Sequence, residues 1–301
     1  MEKTTKSYFY LAFCILLWAF IPIVSKKTLT ELDNVQILLY STIFSVIVLG
    51  IILAFQNKLK SLKNYSLKDY SAMGVLGFLG TYLYYILLYR AFSLTTASEG
   101  FILAYAWPMF VLIFAFAILK EKITLKKLIS ILISFAGVII IITQGRILSI
   151  RFTNLTGDIL ALSGALVFAL FSVMGKKYNF DKTISAFMYF LTAFIFLIPT
   201  LFIFSSLKLP STNALFWIVF NGIFVNGITY IFWFKALEHG KTHVISNLLY
   251  LVPFISLIYI FIFLGEKILL SSFIGLMVIV IGVAIQSVRN KDIKKSKPKP
   301  F

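Results

Sequence analysis

Chemistry at a catalytic or metal centre needs carboxylates, imidazoles or thiols brought together. The 301-residue chain has eleven Asp and Glu, two His and one Cys. Glu238-His239 with His243 four residues on has metal-ligand spacing. No third ligand stands nearby, and the order is not His-Glu-x-x-His. No metal site is expected there. No Gly-x-x-x-x-Gly-Lys loop is present, so no ATP is hydrolysed within the chain. The single Cys14 forms neither an internal disulfide nor a thiolate cluster. The chain is read as a non-enzyme without a cofactor.

The elements that carry these residues follow from composition. Hydrophobic residues make up 60% and charged residues 13%, far from the balance of soluble domains. A net charge of +17 on a soluble chain would suggest nucleic acid. A mean hydropathy of +0.97, carried in long uncharged runs, excludes that partner. A helix needs roughly 20 apolar residues to cross a bilayer. Ten such spans are expected, at 8–24, 35–55, 71–92, 97–119, 126–144, 156–174, 184–204, 213–236, 243–264 and 268–288. The first follows Lys3 and Lys6 as a secretory signal would. It is long for that role, no Ala-x-Ala-like site follows, and Lys26-Lys27 closes it, so it is read as retained. The fold class is an all-α membrane protein in the cytoplasmic membrane.

Basic residues orient the spans. With the N-terminus inside, 21 of the 28 Lys and Arg fall on cytoplasmic segments and seven on the other side. Both termini are then cytoplasmic. A shift of 145 brings the chain onto itself: Gly77 meets Gly222, Tyr85 meets Tyr230, Tyr105 meets Tyr250, Pro108 meets Pro253 and Glu121-Lys122 meets Glu266-Lys267. A shift of 150 brings Lys26-Lys27 onto Lys176-Lys177. Residues 1–145 and 146–290 are thus two five-helix repeats, and an odd span count inverts the second. A basic tail at 291–301 follows, disordered and close to anionic lipid headgroups. Inverted repeats of this kind belong to secondary transporters, with substrate near the midplane between the halves.

None of the acids lies at the centre of a span. Intramembrane carboxylates mark proton relays and cation sites, so their absence argues against proton-coupled export of organic cations and favours facilitated diffusion. Glu99, early in the fourth span, faces Arg90 across a tight turn. The two either close the outer mouth as a pair or stand as interfacial charges among headgroups. Polar and aromatic residues at midspan are more informative. Phe78, Tyr82, Tyr85 and Tyr89 repeat at helical spacing, as do Gly222, Asn226, Tyr230 and Trp233. The fourth and ninth spans add Phe101, Tyr105 and Pro108, and His243, Asn247, Tyr250 and Pro253. Tyr82, Tyr85, Tyr105, Asn226, Tyr230, Trp233, Asn247 and Tyr250 are candidates for a cavity that takes a flat, partly polar molecule. Helix-to-helix hydrogen bonding is the alternative for about half of them. Pro108 and Pro253 serve as hinges for alternating access, or let their helices curve. Glu121 and Glu266 are read as end fixtures tied to backbone or Lys.

Trp18, the Pro108…Leu119-Lys120-Glu121-Lys122 stretch and its counterpart Pro253…Leu264-Gly265-Glu266-Lys267 resemble the EamA branch of the drug/metabolite transporter superfamily. The resemblance covers nearly the whole chain. Lys120 departs from it, standing where the family usually has Gly. Tyr105-Ala106-Trp107-Pro108 is similar to the Tyr-x-Trp-Pro element of aromatic amino-acid exporters. The resemblance implies a central cavity between the first, third, fourth, sixth, eighth and ninth spans, adding Trp18, Ser163 and Phe168 to the candidates. It implies export of a small metabolite, aromatic amino acids favoured, by a monomer or weak homodimer whose other partners are membrane lipids. Another EamA-type cargo, such as a drug or nucleobase, is the alternative, with a membrane-embedded enzyme or lipid-handling protein behind it.

Overall fold

The structure, a computed structural model, describes residues 3–94, 103–146, 148, 154–178, 180–265 and 268–287. Helices carry the fold, and no strand occurs among the described residues. They are α1 (Lys3–Trp18), α2 (Ile21–Thr28), α3 (Asn34–Phe55), α4 (Leu67–Gly77), α5 (Tyr84–Leu94), α6 (Trp107–Leu119), α7 (Leu125–Ile142), α8 (Leu155–Lys177), α9 (Lys182–Phe204), α10 (Thr212–Phe220), α11 (Thr229–His239), α12 (Thr242–Leu248), α13 (Val252–Leu264) and α14 (Leu270–Ser287). Merged across short breaks, eight helical stretches among the described residues are long and apolar enough to cross a membrane. Trp107–Leu119 and Leu270–Ile285 are shorter apolar helices, covering parts of the expected fourth and tenth spans. Glu99, Glu266 and the 291–301 tail lie outside the described residues.

Helix starts follow their local sequence. Asp33 caps α3 in a box with Gln36, Ser66 caps α4 with Asp69, and Asp181 and Ser211 cap α9 and α10. Each side chain satisfies N–H groups that a first turn leaves open. Large apolar side chains face outward, and hydroxyl residues are buried within an apolar core. Ile51, Phe55, Ile195, Phe202 and Phe204 stand out on the surface, while Ser41, Thr42, Ser45, Thr81, Ser130, Ser134 and Thr229 are fully buried. In lipid, small and hydroxyl residues let helices approach and bond to one another.

Corresponding places in the two repeats use the same devices. A π-helical segment, Phe78–Leu83, joins α4 to α5, and another, Asn221–Ile228, joins α10 to α11. Each π segment begins beside a glycine pressed on a foreign helix. A Cβ on Gly77 would lie 2.7 Å from the Tyr189 Cα of α9, and one on Gly222 2.4 Å from the Ser41 carbonyl of α3. Thr81 donates to the Tyr189 carbonyl at 2.8 Å, and Ser45 to the Gly222 carbonyl at 2.8 Å. So α9 of the second repeat grips the first, and α3 of the first grips the second. Residues Ser130 and Ser134 of α7 donate to the Gly282 and Ile279 carbonyls of α14, the last helices of the two repeats.

The charges gather at two ends. One carries Lys58 against Asp181 at 2.6 Å, Lys182 against Glu238 at 3.8 Å and Lys176 against Glu121 at 3.1 Å. At the other, Ser211 donates to Glu31, Lys208 to the Glu31 carbonyl, Ser205 to Asp33 and Gln36 to the Ser206 carbonyl.

Candidate functional site: an aromatic cavity between the repeats

Three apolar segments carry a turn just before a proline. A turn at Ala19-Phe20 separates α1 from α2, with Pro22 in the first turn of α2. Another at Tyr105-Ala106 precedes α6, with Pro108 in its first turn. A 3-10 turn over Leu249–Leu251 precedes α13, with Pro253 in its first turn. Each proline lacks the N–H that would otherwise reach back to the carbonyl four residues earlier. Pro108 and Pro253 stand in the first turns of α6 and α13, directly after these turns. Pro22 does the same in the first span, where sequence reasoning passes over it. Its place inside a long apolar run is the available signal.

The turns surround a cavity of about 530 Å³. Its aromatic wall is Trp18, Tyr84, Tyr85, Tyr89, Tyr105, Trp107, Phe168 and Tyr230. Phe168 packs edge-on against Trp107 at 5.0 Å and lies 4.6 Å from Tyr84 and 6.2 Å from Trp18. A hydroxyl chain crosses the repeats: Tyr230 donates to Tyr85 at 3.3 Å, and Tyr85 to the Asn226 side-chain carbonyl at 3.3 Å. Lys26 is the charged residue of the lining, which holds no carboxylate among the described residues. With Leu29 and Asn34 it places the mouth of the cavity at the Glu31–Lys208 end.

Of the sequence candidates, Trp18, Tyr85, Tyr105, Phe168 and Tyr230 line the cavity together. Asn226 stands behind them through its bond to Tyr85. Trp233 is fully buried, 5.6 Å from both Trp18 and Trp107, and donates to Ser172 at 3.2 Å. Tyr82 points elsewhere, bonded to Thr200 at 2.7 Å and packed on Phe196. The π segment explains this. An extra residue in the ladder turns the later residues by about 100° relative to a regular helix, so Tyr82 leaves the stripe of Tyr85 and Tyr89. Asn247 donates to Ser130 at 2.8 Å, and Tyr250 packs 6.0 Å from Phe135, both in a second cluster against α7. Ser163 is half-buried on α8 and is not in the lining. Glu99 lies outside the described residues, so the pairing with Arg90 does too. Sequence reasoning leaves Tyr84, Tyr89 and Trp107 out of its cavity candidates, though it places Tyr89 on the stripe of Tyr85. Trp107 sits inside the Tyr-x-Trp-Pro element, and Tyr84 is hidden by the same change of helical phase.

Below the cavity, away from its mouth, the chain is closed by polar contacts between the repeats. Glu121, just past α6, accepts from Thr242 at 2.6 Å and from Lys176 at 3.1 Å, with His243 Nδ1 at 3.6 Å. Lys176 also donates to Thr242 and to the Gly240 carbonyl. Burial alone would raise the Glu121 carboxyl. The imidazole of His243 beside it, the hydrogen bond from Thr242 and the Lys176 charge outweigh it and hold the group at about 2. On α8, Phe168, Ser172 and Lys176 recur at intervals of four and share one face. They run from the cavity floor to this cluster, about 12 Å along the helix.

The EamA-like transporter family matches residues 5–143 and again 155–288. The chain belongs to this family, and both repeats are covered. It is 26% identical to an uncharacterized transporter of Archaeoglobus fulgidus over 95% of this chain and 98% of that one. It is 29% identical to one of Clostridium kluyveri over 85% and 86%. The uncharacterized transporter YyaM of Bacillus subtilis shares 27% identity over 80% of each. A solved crystal structure superposes with a TM-score of 0.85 over 94% of this chain and 98% of its own, at 16% identity, which shows the fold alone. The EamA-like protein is a multi-pass protein of the cell membrane from a transporter family.

Proposed function

We propose that this EamA-like protein moves a small metabolite across the cytoplasmic membrane by alternating access, and that its cargo is an amino acid, aromatic side chains favoured. Ten spans form two inverted five-helix repeats, with both termini cytoplasmic. The basic end at Lys58, Lys176 and Lys182 then faces the cytoplasm, and the cavity opens outward. The observation that carries the reading is the aromatic cavity between the two repeats. It offers aromatic rings from five segments, phenol hydroxyls, and no carboxylate among its described lining residues. Aromatic pairs stabilise such contacts beyond their area. The Glu121–Lys176–Thr242–His243 cluster serves as the cytoplasmic gate, because it ties the first repeat to the second between the cavity floor and the basic end. No lining carboxylate among the described residues stands ready to relay a proton, which supports facilitated diffusion down the substrate gradient. The Tyr230–Tyr85–Asn226 chain would also suit a nucleobase edge, the second reading.

Counterflow tests this. Proteoliposomes preloaded with an unlabelled amino acid are given labelled Phe, Trp, Tyr, Leu or Lys, with adenine and uracil as controls. The aromatic amino acids should accumulate transiently and the nucleobases should not. No accumulation of any amino acid would refute the cargo while leaving the fold intact.

A further inference from the structure

The three prolines share a property that their helix starts do not explain. In an α-helix the carbonyl of residue i accepts the N–H of residue i+4. Proline has no N–H, so each proline withholds a donor from the carbonyl four residues back. For Pro22 that residue is Trp18, for Pro108 it is Ala104, and for Pro253 it is Leu249. All three, Trp18, Ala104 and Leu249, line the cavity. The Val252 N–H turns back to the Leu249 carbonyl in the 3-10 turn, which leaves one of that oxygen's two lone pairs. The prolines come from three segments and both repeats, yet the residues whose carbonyls they release all line one chamber.

Pro199 is the contrast. It lies inside α9 and withholds its N–H from Ile195, which is 58% exposed on the outer surface. A proline in a span is thus not in itself a cavity device; those at 22, 108 and 253 are placed so as to become one.

We propose that the carbonyls of Trp18, Ala104 and Leu249 form an acceptor ring that binds the protonated amino group of the substrate. Carbonyl dipoles hold a cation without the cost of a fixed carboxylate at bilayer depth. The hydrogen bonds they accept from an ammonium are charge-assisted and stronger than neutral ones. An ammonium has three donors, one for each carbonyl. Lys26 lies on α2, beyond the Ala19-Phe20 turn, where it lines the cavity on the side of the mouth. The inference rests on the amino-acid reading above and assigns the atoms that recognise the amino group.

The test uses two probes that each keep half of phenylalanine's charge. Phenethylamine keeps the ammonium and 3-phenylpropionate keeps the carboxylate. Their binding to the purified full chain in detergent is followed by quenching of tryptophan fluorescence, Trp18 and Trp107 being in the cavity wall. Phenethylamine should bind at least about tenfold more tightly, the scale of one charge-assisted hydrogen bond. Pro108→Ala and Pro253→Ala each restore an N–H to the released carbonyl and should reduce that preference severalfold. Pro199→Ala should keep it. Equal or tighter binding of 3-phenylpropionate by the unaltered protein overturns the proposal without reference to any variant. So does a preference that survives in folded Pro108→Ala and Pro253→Ala proteins. Tight binding of phenethylamine alongside failed amino-acid counterflow would keep the ring and remove the cargo assignment.

Discussion

Glu121 and Lys120 are neighbours that the sequence makes legible to different depths. Glu121 reads as an end fixture tied to Lys or backbone, and the structure gives it Lys176, Thr242 and His243 as partners. That those partners belong to the other repeat is not legible, because pairing at long separation leaves no local pattern. Lys120 is the departure from the family's Gly. It ends α6 with φ 56°, while Gly265 ends α13 with φ 70°. The left-handed turn is kept, and only glycine's freedom to adopt it without strain is lost. The gate role of Glu121 predicts a labelling result. Cysteine at Ser172, between the cluster and the cavity floor, in a Cys14→Ala background should resist an impermeant maleimide added from the cytoplasmic side. Adding Glu121→Gln should raise its labelling rate about tenfold, the scale of one charge-assisted hydrogen bond. Acid should act late. The Glu121 carboxyl is held down from 4.5 to about 2, so its contribution is complete above pH 4.5 and is lost only as the pH falls towards 2. Protection lost by pH 6 would contradict the assignment of the gate to this carboxylate.

At the scale of elements, the apolar runs and most of their ends are legible, because span length and the flanking Lys residues are direct physical requirements of a bilayer. The break at Ala19-Phe20 and the two π segments are not. A helical stripe drawn at constant pitch puts Tyr82 with Tyr85 and leaves Tyr84 out, and the register change corrects both. Paired π segments at Phe78–Leu83 and Asn221–Ile228 accompany the two glycine crossings, which tie α3 and α9 to the opposite repeat. Gly222→Val should therefore be among the costliest single changes outside the cavity. Its side chain would meet the Ser41 carbonyl and the Phe44 Cβ, at 2.4 and 2.6 Å even for a Cβ alone. Overpacking of that order costs about 1–3 kcal/mol. Thermal unfolding in detergent should show a clear drop in midpoint, whereas Gly74→Ala, where nothing lies within 4 Å, should not.

Over the whole molecule, the repeat seen at a shift of 145 residues becomes two family matches and a reciprocal packing of each half on the other. The charge asymmetry becomes two polar ends, one sealed by ion pairs and one at the cavity mouth. Sequence reasoning finds about half of the cavity wall, since midspan aromatics mark the interior but not which of two interior clusters they join. Asn247 and Tyr250 look as eligible as Asn226 and Tyr230, and only packing against α7 separates them. That separation gives the most direct test of the central claim, that this cavity and not the second cluster is where cargo binds. Phe168→Ala removes the ring that packs on Trp18, Trp107 and Tyr84. Counterflow of labelled phenylalanine should then fall at least about tenfold, since each aromatic pair is worth about 0.5–1.5 kcal/mol beyond its buried area. It should stay within about twofold for Tyr250→Phe. Full counterflow in Phe168→Ala with loss in Tyr250→Phe would contradict the account.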